Sequence, residues 1–523
     1  MGAIGIFAIF LSSSLCLYFV LALIRFVHKL WWNPIRIQHQ MRLQGIPGPS
    51  YRFLHGSNND ILNMKNEAKN RPMGLSHDLM SKVQPHIHSW VNKYVPSLFG
   101  AGKIYLQWYG TQPQLVITEP PLIKEILNNR DSAYPKEEAK GYMKRLFGDG
   151  LSVSEGEKWT KMKKLANHAF HAESLKNMIP TVITSVEEML ERWKQHEGKE
   201  IEIFEEFRVF TSEVISKTAF GSSYVEGRNI FQMLMKLASI TATNAYTHRF
   251  PGISKIYKTN DEIESEELDK GIRQSILEMI KKREMKVTTR EVGSSTGDDF
   301  LEILLKAHRD ANPSRKISVQ DMVDECKTFY IAGQETTTTL LAWTVFLLAI
   351  HTDWQEKARK EVLEFFGQQN PNPDGIAKLK TMSMIINESL RLYTPALSIL
   401  RKVEREARLG KLILPANLLL FIAPLAIHHD PQIWGEDVHL FKPERFSEGV
   451  AKATNNNIAA FFPFGMGPRI CVGMNFATNE AKIALSMILQ RFAFTLSPTY
   501  VHSPIQNFTL RPQHGIQVLL HSL

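Results

Sequence analysis

The chain has 523 residues, of which 44% are hydrophobic and 22% are charged, an ordinary composition for a globular protein. Its 62 basic and 53 acidic residues give a formal charge of +9, which suits an acidic partner or an anionic membrane surface but is too weak to indicate nucleic-acid binding. Three cysteines exclude a disulfide-rich secreted protein and leave room for a single thiol with a chemical role.

Residues 1–25 are predicted to form a transmembrane anchor. No charged side chain occurs in residues 2–24, and about 20 apolar residues span the hydrocarbon core of a bilayer. Basic residues follow this run, beside Trp31 and Trp32, whose rings favour the headgroup zone. The alternative, a cleaved signal peptide, needs its basic residues before a shorter apolar run. Because basic flanks stay in the cytosol, the body of the chain is expected to face the cytosol.

Residues 26–50 are predicted to be a basic, Pro/Gly-rich linker between the anchor and the folded body. Proline fixes φ and has no backbone donor, so the sequence Gly-Ile-Pro-Gly-Pro at 45–49 cannot continue a helix and indicates a stiff turn. The rest of the chain, residues 51–523, is predicted to be one catalytic domain.

The body is predicted to be mainly α with small β-sheets (α+β), in one large helical domain. Apolar residues three and four positions apart predict helices over 175–196 and 263–286, followed by a surface loop over 287–297. A long helix over 319–351 becomes strongly apolar, and its polar centre favours a buried core helix over a second membrane span. Short strands are predicted at 104–108 and 114–117, which could pair, and at 412–414, 418–422 and 517–520.

The stretch 461–473 is the most informative of the sequence. Two glycines ahead of Cys471 let the backbone turn tightly and approach a flat cofactor. Residues 474–491 have a helical pattern, so Cys471 lies near a helix N-terminus, where an anion is favoured and a thiol pKa is lowered. Arg469 could reach a carboxylate, and Phe464 could shield the sulfur from water. A buried structural cysteine is the alternative, and the complete string favours a thiolate ligand.

This string carries a family resemblance. The chain resembles the cytochrome P450 monooxygenases, whose haem-binding signature is matched at Phe464, Gly465, Gly467, Arg469, Cys471 and Gly473. The resemblance implies the cytochrome P450 fold and a haem b (iron protoporphyrin IX) with Cys471 as the metal ligand. A thiolate ligand favours cleavage of the O–O bond. Residues 167–171 are similar to the plant clan that includes secologanin synthase.

The resemblance also implies a proton relay on the long helix. The acid–alcohol pair of the family corresponds to Glu335 and Thr336, and a hydroxyl backed by a carboxylate can pass protons on. The alternative is that these threonines bond back to the helix backbone.

Other cofactor-binding residues follow from the same resemblance. Trp159, Arg401 and Arg469 correspond to positions that hold the haem propionates. Lys163 stands where the family has an arginine, and lysine cannot form a forked, bidentate contact. A buried structural triad is implied for Glu388, Arg391 and Arg445. Substrate-pocket walls are implied at 142–146, 235–243, 329–330, 396–399 and 511–515.

The implied enzyme is a single-pass monooxygenase of the endoplasmic reticulum membrane. It would insert one oxygen atom from O₂ into a lipophilic small molecule (a terpenoid, hormone, fatty acid or xenobiotic), with electrons from NADPH through NADPH–cytochrome P450 reductase. Lys158, Lys161 and Lys164 suit an acidic redox partner, or are simply a solvated helix face. The alternatives are a haem-dependent isomerase or dehydratase, whose members tend to lack the threonine of the relay, and a non-enzymatic membrane haem protein. No nucleic-acid partner is predicted.

Overall fold

A computed structural model of the protein describes residues 3–94, 103–129, 132–247, 257–289 and 299–523. As predicted, the chain is mostly helical with small sheets. The helices are α1 (Ala3–Val27), α2 (Asn33–Leu43), α3 (Asn58–Asn70), α4 (Met80–Val83), α5 (Pro85–Tyr94), α6 (Pro120–Asn128), α7 (Gly141–Phe147), α8 (Gly156–Ala169), α9 (Ala172–Lys194), α10 (Ile203–Phe220), α11 (Tyr224–Thr243), α12 (Asn260–Thr289), α13 (Phe300–Arg309), α14 (Val319–Ile350), α15 (Thr352–Phe366), α16 (Pro373–Lys378), α17 (Lys380–Leu392), α18 (Pro424–His428), α19 (Pro431–Trp434), α20 (Gly449–Ala453) and α21 (Met474–Arg491). Short 3₁₀ turns cover Pro443–Phe446, Ile458–Ala460 and Gly467–Arg469.

In the described residues, the strands form four small sheets. Their bounds are β1 (Ile104–Tyr109), β2 (Gln112–Ile117), β3 (Glu200–Glu202), β4 (Ile399–Lys402), β5 (Ala407–Leu409), β6 (Leu412–Leu414), β7 (Leu419–Ile422), β8 (Phe492–Leu496), β9 (Pro504–Asn507), β10 (Thr509–Pro512) and β11 (Gln517–Ser522). The strand orders are β1-β2-β7-β4, β3-β11-β8, β9-β10 and β5-β6. The predicted pairing of β1 with β2 is confirmed as antiparallel, with Ile104 opposite Ile117.

The N-terminal helix is long and apolar enough to cross a membrane. The helical run Ile9–Leu43 contains a strongly apolar window, none of which is buried against the protein. Ser12 donates its hydroxyl to the Ile9 carbonyl at 3.0 Å, which lowers the cost of its polarity inside the helix.

The segment predicted as a linker, residues 26–50, is helical as far as Leu43, through a π-helical turn (His28–Trp32) and α2. Leu30, Ile37 and Met41 are buried. Tyr51 donates its hydroxyl to the Leu30 carbonyl at 2.6 Å. The helical spacing of these apolar residues explains the result, since it gives α2 a face that packs on the body.

Beyond α2, the Pro/Gly turn is attached to the first sheet. The Leu106 N–H donates to the Pro47 carbonyl at 2.8 Å. A Cβ at Gly48 would lie 1.9 Å from the Leu106 carbonyl oxygen, so only glycine permits this approach of the two backbones.

The central helix α14 organises the body. Ser318 and Asp321 form a capping box at its start, where each side chain accepts the other's backbone N–H. At about 1.5 Å per residue, its 32 residues span about 48 Å. The confirmed helix α12 extends three residues past its predicted end at 286. The remainder of the predicted 287–297 loop lies outside the described residues.

The predicted triad locks α17 to the segment that precedes the cysteine loop. Arg391 donates to both oxygens of Glu388 at 2.7 Å, and neither side chain has any exposed surface. Arg445 lies 3.5 Å from the same carboxylate and also pairs with Asp437 at 2.6 Å. The Lys442 backbone N–H donates to Glu388 at 3.0 Å, and the Lys442 ammonium pairs with Asp437 at 2.7 Å, so each charged side chain named here has a partner.

Candidate functional site

Cys471 lies in a tight loop between a 3₁₀ turn and α21. Its backbone N–H donates to the Phe464 carbonyl at 2.9 Å, which closes the loop. A Cβ at Gly467 would meet the Leu127 carbonyl oxygen at 2.4 Å, and φ is +71° there, so this glycine is required on both grounds. The side chain of Phe464 is half-buried and packs against the main core. The loop therefore holds the cysteine at a fixed place ahead of α21.

Cys471 is exposed to solvent, although protein atoms crowd its thiol. Burial raises the pKa of this thiol, and a hydrogen bond from the Gly473 backbone acts in the opposite direction. The prediction of a lowered pKa is therefore wrong for the protein alone. The physical reason is that α21 begins at Met474, so Cys471 lies outside its first turn, where the effect of the macrodipole falls off. A bound metal ion would itself deprotonate a coordinating thiol.

An accessible strip interrupts the buried surface of α14. From Met322 to Ala349, a stretch that the structure describes completely, the residues not buried are Ala332, Gly333 and Thr336. Ala332 and Thr336 are one helical turn apart, so they share a face. The missing Cβ of Gly333 points at the Ile215 side chain, 2.7 Å away, so this glycine serves the packing of α10 on α14. The strip offers a flat ligand a small residue and a hydroxyl.

The two residues predicted to relay protons have different partners. Thr336 donates its hydroxyl to the Ala332 carbonyl at 2.7 Å, the back-bonded arrangement. Glu335 is buried and accepts two hydrogen bonds from the guanidinium of Arg511 on β10, together with one from the Thr509 hydroxyl at 2.6 Å. Glu335 therefore faces β10, and of the two predicted relay residues only Thr336 lies on the accessible strip.

A second group of predicted residues meets around one indole ring. The guanidinium of Arg469 lies 4.1 Å from the centre of the Trp159 ring, and the ammonium of Lys163 lies 5.0 Å from it. Lys163 also donates to the carbonyl of Pro468 in the cysteine loop. Burial, followed by repulsion from Arg469, lowers the pKa of Lys163. These contacts attach α8 to the cysteine loop.

This edge of the protein carries more positive than negative charge. Burial lowers the pKa of Lys136 to about 7, with repulsion from Arg401 and Arg469 outweighing attraction by Glu155. Burial and repulsion from Arg469 lower the pKa of Arg401 to about 10. Glu155 pairs with Arg469 at 2.5 Å. A cleft of about 2450 Å³ opens here and is lined by all four of these side chains.

Part of this positive charge is unpaired among the described residues. Nη1 of Arg469 is buried and has no hydrogen-bond partner among the described residues. A buried, unpaired donor on a cation is costly, so this edge is suited to an anionic ligand.

Comparison with known proteins gives the family. A family model described as Cytochrome P450 matches residues 73–520. The chain belongs to the cytochrome P450 family. Cytochrome P450 CYP749A22 of Panax ginseng is 59% identical over 515 residues, 98% of this chain and 97% of that protein. The 11-oxo-beta-amyrin 30-oxidase of Glycyrrhiza uralensis is 41% identical over 95% of both chains. The 7-deoxyloganic acid hydroxylase of Catharanthus roseus is 39% identical over 99% of this chain and 98% of that protein.

As a cytochrome P450 with oxidases and hydroxylases among its relatives, the chain is an enzyme, a haem-thiolate monooxygenase that acts on a small molecule. The family implies a haem, and the observed residues fit one. A thiol is presented at the end of a closed loop, and a helix offers an accessible strip with small residues. The unpaired donor of Arg469 and the surplus of buried cations suit the two propionate groups.

Sequence reasoning missed two members of this arrangement, Lys136 and Glu155. They carry no motif, and only their charge could have drawn attention to them. Arg511 was expected within a pocket wall, and the structure pairs its guanidinium with Glu335. Phe329 and Tyr330, predicted as pocket walls, are buried, and their rings pack on other aromatic side chains. The ring of Phe329 stacks on Phe170 with centroids 5.5 Å apart, and Tyr330 stacks on Phe220 at 4.1 Å. Large aromatic rings on the faces of α14 that pack against other helices are buried by those helices.

Proposed function

We propose that this cytochrome P450 oxidises a terpenoid, with electrons delivered from NADPH by NADPH–cytochrome P450 reductase. The names of two relatives support the substrate class, since they denote an 11-oxo-beta-amyrin oxidase and a 7-deoxyloganic acid hydroxylase, both acting on terpenoids. The observation that carries the proposed site is the accessible strip on α14 together with the closed loop that presents Cys471.

Each residue of the site has a proposed role. Cys471 is the thiolate ligand of the iron, and Phe464 shields it from water. When bound, the haem supplies the activation of O₂, which a thiolate ligand favours. Arg401 and Arg469 hold the propionates by charge-assisted hydrogen bonds.

Three further side chains complete the propionate edge. Trp159 supports the guanidinium of Arg469 through the face of its ring. Lys163 keeps the cysteine loop against α8 through the Pro468 carbonyl and adds positive charge. Lys136 contributes a buried ammonium whose charge the propionates would stabilise.

In proton delivery, the Thr336 hydroxyl is the relay group on the accessible strip of α14, and the Glu335 carboxylate passes protons to it. Because Arg511 occupies both oxygens of Glu335, the carboxylate can serve a relay only after this ion pair rearranges. Replacement of Thr336 by alanine is therefore expected to lower the product formed per NADPH consumed, whereas Thr336→Ser, which keeps the hydroxyl, retains it. Equal coupling in the two variants would contradict this role.

The substrate class is tested with the full chain, reconstituted with a plant reductase in phospholipid nanodiscs. Haem spectral titrations with 7-deoxyloganic acid, a β-amyrin derivative, a fatty acid, a plant hormone and a herbicide identify ligands, and mass spectrometry identifies products. We expect an oxygenated terpenoid that appears only with NADPH and reductase. Turnover of fatty acids alone would contradict the terpenoid class. Turnover of a hydroperoxide without NADPH would support the isomerase alternative.

We further propose that α8 lies at the surface on which the reductase docks. Lys161 and Lys164 carry the charge of this surface. Lys158 contributes little because it is paired with Asp321 at 2.7 Å and with Asp149 at 2.9 Å. A charge reversal at the exposed Lys164 is expected to raise the reductase concentration needed for half-maximal turnover several-fold at low salt, and less at high salt. An unchanged requirement would argue against docking here.

The proposed location is the endoplasmic reticulum membrane. The N-terminal helix serves as a single-pass anchor, residues 1–25, and the catalytic domain, residues 51–523, faces the cytosol. The apolar, unburied window of the N-terminal helix supports this placement. A glycosylation acceptor site added ahead of residue 3 should be modified in microsomes, and one added after residue 523 should not. The opposite pattern would invert the proposed orientation.

A further inference from the structure

Three potential metal ligands converge away from the haem site. Asp78 lies two residues before α4, His429 directly follows α18, and His439 lies in the loop that leads to the 3₁₀ turn Pro443–Phe446. One ligand atom of each side chain lies within 4.8 Å of the other two. Since the three residues come from separate parts of the chain, their proximity is a product of the fold.

His429 is oriented as a metal ligand would be. Its Nε2 lies 2.9 Å from the Leu392 carbonyl, and because a carbonyl can only accept, Nε2 carries the proton. The lone pair is therefore on Nδ1, which is buried and has no partner among the described residues. His429 is 4% exposed, so bulk solvent does not reach this atom. Histidines that bind metals commonly donate their second N–H to a backbone carbonyl in this way.

The other two side chains also lack strong partners. Nδ1 of His439 is buried without a hydrogen bond in the described part of the chain. Its Nε2 lies 4.0 Å from the carboxylate of Asp78, for which the described residues provide no lysine or arginine partner. The nearby cation Arg391 repels positive charge at His429, and its two hydrogen bonds to Glu388 offset part of this repulsion. The carboxylate of Asp78 supplies the negative charge that favours a bound cation.

We propose that Asp78, His429 and His439 bind a divalent transition-metal ion of the zinc type, with water as the fourth ligand. Two imidazoles and one carboxylate form a donor set that Zn²⁺ accepts in proteins. At a Zn–N distance of about 2.1 Å, tetrahedral ligand atoms lie about 3.4 Å apart. The ligand atoms, which lie within 4.8 Å of one another in the structure, must therefore approach one another by up to about 1.4 Å. The side chains of Asp78 and His439 are 47% and 36% exposed and have room to move toward His429.

The ion would join the segment ahead of α4 to the loop around His439. Leu392, whose carbonyl accepts the hydrogen bond from His429, is adjacent to Arg391 of the buried triad. Binding would therefore stabilise the region that encloses the cysteine loop without entering the haem site. This proposal is independent of the substrate and of the proton relay.

Equilibrium dialysis of the chelator-treated, full-length holoenzyme against ZnCl₂, with metal analysis, tests the site. The parent and the control variant His521→Gln, which alters an exposed histidine on β11, are expected to bind one Zn²⁺ per chain. Asp78→Asn and His439→Gln are expected to weaken binding at least about tenfold. Both variants alter partly exposed side chains, so neither depends on rebuilding the core. No binding by the parent, or equal binding by all four proteins, would overturn the proposal.

Zinc-edge X-ray absorption of the loaded parent gives a second readout. The expected first shell contains only nitrogen and oxygen, with the signal of two imidazoles. A shell that contains sulfur would place the ion at a cysteine and overturn the assignment. Zinc should also raise the thermal midpoint of the parent and of His521→Gln, but not that of His439→Gln. The same shift in His439→Gln would contradict the site.

Discussion

The ion pair between Glu335 and Arg511 offers a sharp test of how the central helix is held. Glu335 is 1% exposed, and its carboxylate accepts two hydrogen bonds from one guanidinium and one from the Thr509 hydroxyl. Replacement of Arg511 by methionine removes the cation and leaves a buried carboxylate with one hydroxyl donor. Loss of one partner from a buried pair costs about 3–5 kcal/mol. Because the Arg511 side chain is 18% exposed, we expect the lower end of this range.

Replacement of the acidic partner, Glu335, is expected to destabilise the fold less than replacement of Arg511. In Glu335→Gln, the amide oxygen still accepts a hydrogen bond, and the guanidinium keeps contact with solvent, so we expect a loss of about 1–2 kcal/mol. The double variant removes both charges together. Its loss should therefore be smaller than the sum of the single losses, with a coupling energy of at least about 1 kcal/mol.

These four proteins, the parent, the two single variants and the double variant, form a double-mutant cycle. Urea unfolding of each purified full-length protein, followed by far-ultraviolet circular dichroism, measures its stability. The expected order of stability is the parent, then Glu335→Gln, then Arg511→Met. The double variant should be no less stable than Arg511→Met. Additive losses, with a coupling energy below about 0.3 kcal/mol, would refute the reasoning that the two charges depend on each other.

Three further predictions concern other parts of the molecule. Burial raises the pKa of Glu325 to about 8. Its contribution to stability is therefore present below its ordinary pKa of about 4.5 and is lost as the pH rises to about 8. The urea midpoint of Glu325→Gln should therefore vary less with pH over this range than that of the parent. The same pH dependence in both proteins would contradict the raised pKa of Glu325. Arg469→Met should lower the ratio of haem to protein several-fold, whereas the exposed Lys164→Gln should not, as measured by absorbance. Deletion of residues 1–27 should release the chain from membranes while keeping its fold, but deletion of residues 1–43 should lower its thermal midpoint because the buried face of α2 is lost. Equal midpoints would show that α2 does not support the body.

The long helices could be predicted from the sequence because their apolar periodicity is strong. The predicted helix over 474–491 agrees with α21 at both ends, and the predicted 319–351 agrees with α14 within one residue. The segment 26–50 was more difficult to predict, since basic residues and a following Pro/Gly turn are typical of a linker. Its buried face depends on contacts with the first sheet that are distant in the chain.

The candidate site could be predicted only in part, for a similar reason. The loop around Cys471 is a local motif, so the sequence alone predicts which residues form it. The direction of a helical side chain depends on what packs around the helix, and a motif does not contain that information. Glu335 turned out to face Arg511, 176 residues away, and Lys136 joined the cationic edge through the fold. Charged residues without a motif are visible only when their partners are known.

The identity of the iron ligand is the central claim, and the reduced, carbon monoxide-bound spectrum tests it most directly. The parent chain should show the red-shifted Soret band of thiolate-ligated haem. In Cys471→His the band should move to the position of imidazole-ligated haem, while the haem content, measured separately, shows that the pocket remains loaded. A Cys471→His variant that binds haem and keeps the band of the parent would contradict the assignment of Cys471 as the ligand.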